Sequence, residues 1–442
     1  MDCVRSCLVV VSFVAPFLLG CAPAPTRPRL PIPRLPHPPE ASHEDLDPAR
    51  VGPVSLDALL AWAHHHAPAL VSARAGLAIG RAEMEGARAP ALGPTEVEIE
   101  AGIRQGAAGS DPALAASVRQ PFEISGARDA RIAAAQMGVH AGRADVALAE
   151  WEVHRAIHAA FYDALVAQET KRITERAAAF TARIAEFVQR RVAAGESSPI
   201  EQRVAEGESA QATQEAVAAA GRFLEARVAL AAECGWPTDH PPEPEGILSE
   251  PHDPPALGAL VARALRDQAA IARAAIAVEH ARAHVTAANR DRWPMAALGV
   301  TVAREEGSDI YLGTLGVGLP LFAANQAERA RARAEVEVAG AELAALRMTV
   351  PARIARAHVA VSTAVERVRA YGTRIIPQFE ETLGLLERAL QLGEIDVLEL
   401  SVASRRLLEV QREALGARAD YHRALAELEA AVGAELDEGG AE

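Results

Sequence analysis

The sequence predicts a mainly α-helical chain made of two copies of one unit. Each copy holds a helix, a β-hairpin suited to a membrane barrel, and a long helical hairpin. Three observations carry this reading. The halves match: Ser117-Val118-Arg119-Gln120-Pro121-Phe122 precedes one long Ala-rich stretch and Gly318-Leu319-Pro320-Leu321-Phe322 precedes another, with Pro121 and Pro320 199 positions apart. Leu56, Leu59, Leu60 and Leu70 return as Leu257, Leu260, Val261 and Ile271, and a repeat that persists along the whole chain means a duplicated architecture. The composition is 50% apolar but only 4% aromatic, rich in Ala, Arg and Glu, which suits long helices packed closely side by side. Finally, four short segments alternate polar and apolar residues with the period of a strand.

In chain order, the N-terminus reads as an export signal over residues 1–20. Arg5 supplies a positive charge, and the apolar run Leu8 to Leu19 is too short to span a bilayer as a helix. It ends Leu18-Leu19-Gly20-Cys21, a small residue before a Cys, which resembles the lipobox of bacterial lipoproteins; an ordinary signal peptide cut nearby is the alternative. With the signal removed, Cys21 and Cys234 remain, one to be acylated and one alone, so no disulfide framework is expected. Cys234, among Ala231, Ala232 and Trp236, reads as a buried small residue. Residues 21–53 are a Pro-rich tether without a periodic apolar pattern.

The first unit, 54–236, opens with a helix from Ser55 to Ala89, capped by Ser55 and broken at Pro68. Next, Val97, Ile99, Ala101 and Ile103 face one way, and Glu96, Glu98, Glu100 and Arg104 the other. A polar loop from Gly106 to Pro112 leads back through Leu114 to Gln120. A Pro-free helix from Gly126 to Ala193 would be roughly 100 Å long, and a shorter helix returns after it. Residues 237–255 form a Pro-rich, acidic connector. The second unit, 256–434, repeats the plan, with strands Met295 to Arg304 and Ile310 to Leu319 and a long helix from Asn325 that Pro351 and Pro377 should kink. Its last helix, from Asp396 to Val432, carries a seam of Val397, Leu400, Leu407, Ala414, Tyr421, Leu425, Leu428 and Val432. Residues 435–442 are an acidic tail.

Strands of about ten residues, apolar on one face and joined by Gly/Ser/Asp loops, suit a membrane β-barrel, though alternation alone also describes a half-buried soluble hairpin. In a barrel, Glu96, Glu98 and Glu100 line a hydrated lumen. Four strands cannot close, and open edges in lipid leave backbone groups unpaired at several kcal/mol each, so a membrane reading requires oligomerisation. A formal charge of −14 argues against nucleic acid as partner. The sequence holds no phosphate loop, no His-Glu-x-x-His, no Cys pair at zinc spacing and no nucleophile elbow, so no enzyme, cofactor or metal centre is expected. His64-His65-His66 does not converge on one ion, because adjacent helix residues point about 100° apart.

The order of lipobox, helix, hairpin ending in "RQPFEISGARDARIAAAQ" and helical hairpin, then the same unit again with "GVGLPLFAANQAERARARAEV" and "LQLGEIDVLELSVASRRLL", resembles the TolC-type outer-membrane factors. The "QPFEISG…R" and "LPLF…NQ" stretches look most like the CzcC-like branch serving heavy-metal cation efflux. The resemblance covers Val54 to Gly433. It implies a homotrimer whose strands close a twelve-stranded barrel in outer-membrane lipid, above a hollow α-barrel reaching into the periplasm. It also implies an inner-membrane pump of the resistance-nodulation-division type and a periplasmic adaptor. Adaptor contact falls on the helix-hairpin tips, Ala194, Gly195 and Glu196 and Leu392, Gly393 and Glu394, where the alternative is a plain turn. Glu399, and less so Glu201, would guard the periplasmic mouth; the alternative is a solvated helix residue. The expected function is a passive exit duct. The alternatives are a periplasmic coiled-coil adaptor lipoprotein, or a factor for organic compounds or type I secretion.

Overall fold

The computed structural model describes residues 52–89, 94–106, 109–248, 250–292, 295–305, 308–318, 325–392, 394–395 and 397–436. The expectations for the signal, Cys21, most of the tether, Gly393 and nearly all of the acidic tail lie outside these residues.

Two helices open each half. In the first, α1 (Leu56–His66) is capped by the Ser55 hydroxyl, which accepts from Ala58 N at 3.4 Å, and α2 (Pro68–Ala87) begins on Pro68. Ala67 between them is extended, at φ −59° and ψ 126°, because a residue before proline is pushed out of the helical region. The second half makes the same break without a proline. Gln268 is extended at φ −67° and ψ 127° between α5 (Leu257–Asp267) and α6 (Ala269–Arg290), and its side chain caps Ile271 N at 3.1 Å.

These breaks receive the ends of the returning helices. In the first half α3 (Ala127–Ala193) runs out and α4 (Pro199–Cys234) returns; in the second, α7 (Gln326–Ala370) and α8 (Ile376–Leu392) run out and α9 (Val397–Val432) returns. Gly235 ends α4 and Gly433 follows α9, both left-handed at φ +68° and +74°. A Cβ on Gly235 would lie 2.2 Å from the His66 carbonyl oxygen, and one on Gly433 2.9 Å from Gln268 Cα. Glycine is required at both for the backbone angle and for the close approach.

Around each junction lies one core. Leu59, Ala63, Leu70, Ile157, Phe161, Leu230 and Cys234 are buried together in the first half, and Leu260, Ile271, Ile354, Val361, Val365, Tyr421, Leu428 and Val432 in the second. Of the predicted seam of α9, Leu400, Leu407, Ala414, Tyr421, Leu428 and Val432 are buried; Tyr421, Leu428 and Val432 belong to this core. The connector is tied down rather than loose. Val54 N donates to Glu243 O at 2.7 Å, Glu245 N to Val54 O at 2.8 Å, and His252 N to the Tyr421 hydroxyl at 3.1 Å.

Pro351 does not interrupt α7. The irregularity lies one residue ahead of Pro377, as a π-helical turn over Tyr371–Ile375. Pro377 has no N–H to offer the carbonyl four residues back, and the wider turn accommodates that loss.

The four strands form one antiparallel sheet in the order β1-β2-β3-β4: β1 (Glu96–Gly106), β2 (Gly109–Glu123), β3 (Met295–Glu305) and β4 (Ser308–Val317). The first three strands are longer than the sequence reading allowed, and β4 keeps the expected ten residues but starts two positions earlier. Residues 109–112, expected as loop, pair with β1, as in Ile103↔Pro112. Among the described residues the pairing of β2 with β3 starts at Leu114↔Arg304, so Pro112 lies near the end of β2, where a proline is better tolerated than in the middle of a sheet.

Candidate functional site

The sheet register sorts the side chains. Directly paired residues share a face. Val97↔Val118↔Val300↔Gly313 and Ile99↔Ala116↔Val302↔Tyr311 therefore build one face, apolar across all four strands, and at the loop end of that face the Ala101↔Leu114 row runs on to the paired charges Arg304 and Asp309. The other face carries Glu96↔Arg119, Glu98↔Ser117 and Glu100↔Ala115, continuing to Thr301 and Thr314, with Leu312 as an apolar intruder. Arg119 Nη1 lies 3.4 Å from the Glu96 carboxylate. The apolar face is bare: Ile99 is 72% exposed, and Val97, Ile103, Val118, Leu298, Val300, Val302 and Leu315 are exposed with it. Among the described residues β1 pairs only with β2 and β4 only with β3, which leaves both outer edges open there.

At the far end of the long helices the two reversals are alike. Glu196 N donates to Arg191 O and Glu394 N to Ala389 O, both at 2.9 Å, the closing bond of a Schellman turn. Gly195 is left-handed at φ +78° with open space around it. Ala194, Gly195, Glu196 and Glu394 are exposed, Leu392 is 75% exposed, and Ile200 beside the first tip is also bare. The tips rest on a shared core of Val188, Ala205 and Leu400, with Phe180, Ile184 and Leu386 against it. Glu201 lies in the first turn of α4. It accepts from the Ser197 hydroxyl, while its N–H donates to Ser198 Oγ at 3.2 Å, so it takes part in the start of its own helix. Glu399 lies in the first turn of α9, exposed, one residue before buried Leu400.

Cys234 is buried, and burial pushes its thiol up to about 12, which suits packing and not nucleophilic chemistry. His65 and His66 are exposed, and His66 stacks on Trp62 at 3.9 Å. Among the described residues, one group of three metal-ligating types does converge, His154, His158 and Glu429, away from both the sheet and the tips. The sequence reading missed it. The i,i+4 spacing of His154 and His158 on one helix face was the available signal, but Glu429 is 271 positions beyond His158 and only folding brings it near.

No helix among the described residues is long and apolar enough to cross a membrane; exposed apolar side chains are spread over several helices but line up on one face only in the sheet. A duplicated chain of long helices with a four-stranded sheet, apolar on one face, is the fold of outer-membrane efflux channels. The chain belongs to the outer membrane efflux protein family, whose pattern matches residues 59–235 and 260–434. Its members are channels and not enzymes. The cobalt-zinc-cadmium resistance protein CzcC of Cupriavidus metallidurans is 24% identical over 320 residues, covering 72% of this chain and 76% of CzcC. The outer membrane protein VceC of Vibrio cholerae has a similar structure, with a TM-score of 0.69 at 20% identity over 86% of this chain and 97% of VceC. CusC, solved in a study of transmembrane channel formation, gives a TM-score of 0.70 at 17% identity over 94% of this chain and 99% of its own.

Proposed function

We propose that the chain is the outer-membrane exit duct of a tripartite efflux system for divalent heavy-metal cations. The supporting observation is the sheet, with one face apolar and bare, the other carrying Glu96, Glu98 and Glu100, and both edges open. Unpaired edges are not tolerated in lipid. Three copies, four strands each, close a twelve-stranded barrel with the carboxylates inside and the apolar face toward lipid. Cys21 carries the acyl anchor. The helices continue the conduit into the periplasm. There the tips, Ala194, Gly195, Glu196, Leu392, Gly393 and Glu394, meet a periplasmic adaptor, and the adaptor joins the duct to an inner-membrane pump of the resistance-nodulation-division type. The likeness to CzcC supports metal cations as cargo. The duct uses no fuel; direction comes from the pump.

Three copies of Glu399 ring the periplasmic mouth, with Glu201 set back against Ser197. A ring of carboxylates attracts cations and holds them. The test is conductance in planar bilayers. The trimer should open a passive pore that multivalent cations block from the periplasmic side, and Glu399→Gln should weaken that block with assembly unchanged. The difference should be largest at low salt, since charge is screened within roughly 10 Å at 0.1 M. Unchanged block at every ionic strength removes Glu399 from the gate. Absence of any pore overturns the duct. Loss of resistance to organic compounds, and not to zinc, cobalt or cadmium, in cells lacking the chain reassigns its cargo.

A further inference from the structure

The cluster of His154, His158 and Glu429 joins the two halves of the chain. His154 and His158 are one turn apart on α3, and Glu429 is on α9 of the other half. One ligand-type atom from each lies within 4.8 Å of the others. His154 is 6% exposed and Glu429 is buried. Among the described residues, the Nε2 atoms of His154 and His158 are buried and have no hydrogen-bond partner, and neither has that of His422, which is 2% exposed. Buried polar nitrogens without partners are rare and call for an explanation.

The surroundings hold these rings in place. Trp151 meets His154 edge-on at 5.5 Å, and Tyr162 stacks flat on His422 at 3.7 Å. The Glu435 carboxylate lies 3.9 Å from His154 Nδ1. One Glu429 oxygen accepts from Leu436 N at 3.0 Å, which fixes that carboxylate from the chain's own C-terminal turn. Nearby, Arg423 pairs with Asp163 at 2.7 Å and Arg155 with Glu427 at 3.8 Å, two further ties between the same two helices. Burial keeps the rings neutral, with His158 lowered to about 3 and His154 to about 4, and the neutral ring is the form that ligates metal.

We propose that His154, His158 and Glu429 form a resident binding site for one borderline divalent transition metal of the Zn²⁺ or Co²⁺ class, stapling α3 of the first half to α9 of the second. Two imidazoles and a carboxylate are a donor set suited to these ions, whereas Mg²⁺ and Ca²⁺ take oxygen. Bonds of about 2.0–2.1 Å in a tetrahedral site separate donors by roughly 3.3 Å, so side-chain rotation of about 1.5 Å or less closes the site, with water in the fourth position. Glu435 beside His154 Nδ1 is placed to orient that ring, as outer carboxylates do for metal-bound histidines. The site is buried inside a single chain, so its metal is a fixed component and not cargo. The inference rests on packing within the chain and stands whether or not the duct carries metals.

The experiment uses the full-length trimer in detergent, stripped with chelator, then loaded with Zn²⁺ alone and desalted. One Zn²⁺ per chain should remain. His158→Gln and Glu429→Gln should each weaken retention by more than the roughly 10–100-fold that loss of an outer partner costs. His280→Gln should leave it unchanged, although His280 and His284 place their Nε2 atoms 3.0 Å apart on a helix surface. Co²⁺ in the wild-type protein should give the intense visible absorption of a four-coordinate ion, a readout that does not depend on any variant folding. Retention of no Zn²⁺ together with the spectrum of hydrated Co²⁺ overturns the proposal. So does zinc lost only in His280→Gln, or retained equally in the His158 and Glu429 variants. Bilayer conductance is read separately, so failure of the metal site and failure of the duct are told apart.

Discussion

Single residues at the two helix junctions do the same work in each half. Gly235 and Gly433 each end a returning helix in a left-handed turn, and each presses its bare Cα against the break in the opening helix pair. An Ala in the left-handed region costs about 1–2 kcal/mol by itself. At these positions the added Cβ also meets backbone, at the His66 carbonyl and at Gln268 Cα, which cannot swing aside as a side chain would. At the tip, Gly195 is equally left-handed but has open space around it. Trimers of Gly235→Ala and Gly433→Ala should therefore dissociate and unfold at clearly lower temperature than Gly195→Ala, with Gly235→Ala the worst because its approach is closest. Circular dichroism during heating ranks them; equal behaviour of all three would remove close approach as the cause. Sequence reading found Gly195, because a tip between two amphipathic helices needs a turn residue. It did not single out Gly235 or Gly433, because the atoms that exclude a side chain there belong to His66 and Gln268, more than a typical domain's length away along the chain, and no local pattern records them.

Among the elements, the strands translate most directly from alternation to surface. Period two in β1 separates Glu96, Glu98 and Glu100 from Val97, Ile99 and Ile103, and the observed register extends that division over β2, β3 and β4. A charge placed on the apolar face at mid-membrane depth costs about 2–4 kcal/mol, while the lumen face tolerates exchange. Ile99→Arg should block formation of the heat-modifiable barrel seen by gel mobility, whereas Glu98→Gln, on the neighbouring residue but the opposite face, should assemble normally. Normal assembly of Ile99→Arg would show that this face does not meet lipid. Strand ends were harder to place. Asp111 and Pro112 look like loop by composition, yet they pair with Arg104 and Ile103, since the register of the β1–β2 hairpin carries on to its turn. The helices show the same division of labour. The Pro68 break was legible from a proline, while its counterpart at Gln268 was not, since a Gln cap carries no comparable signal. Conversely, Pro351 sits in continuous helix, and only Pro377 closely follows an irregular turn.

At the scale of the molecule, two open sheet edges and a bare apolar face define an unfinished structure. The four-stranded sheet has the same defect at both sides, β1 and β4, and identical copies remedy it by pairing one chain's β4 with the next chain's β1 around a closed ring. Native mass spectrometry in detergent should give three chains, with three as the number that brings twelve strands to closure. A stable monomer without detergent would refute the membrane barrel. Within each chain the halves are joined by more than the connector. Arg412 of α9 pairs with Glu215 of α4 at 2.7 Å and Arg423 of α9 with Asp163 of α3 at 2.7 Å, and the His154–His158–Glu429 group lies on that α3–α9 seam.

The sequence by itself determined the duplication, the helix and strand periods, the two tips and the polarity of the sheet faces. Each of these is a local regularity, in which side chains a few positions apart share a surface and the next copy repeats them. Only the tertiary structure decided which strand borders which, where the junction glycines abut backbone, and that two histidines of the first half meet a glutamate of the second. Those contacts join residues far apart in the chain, and their distances are fixed by how long helices lie against one another, a quantity that no short window of sequence contains.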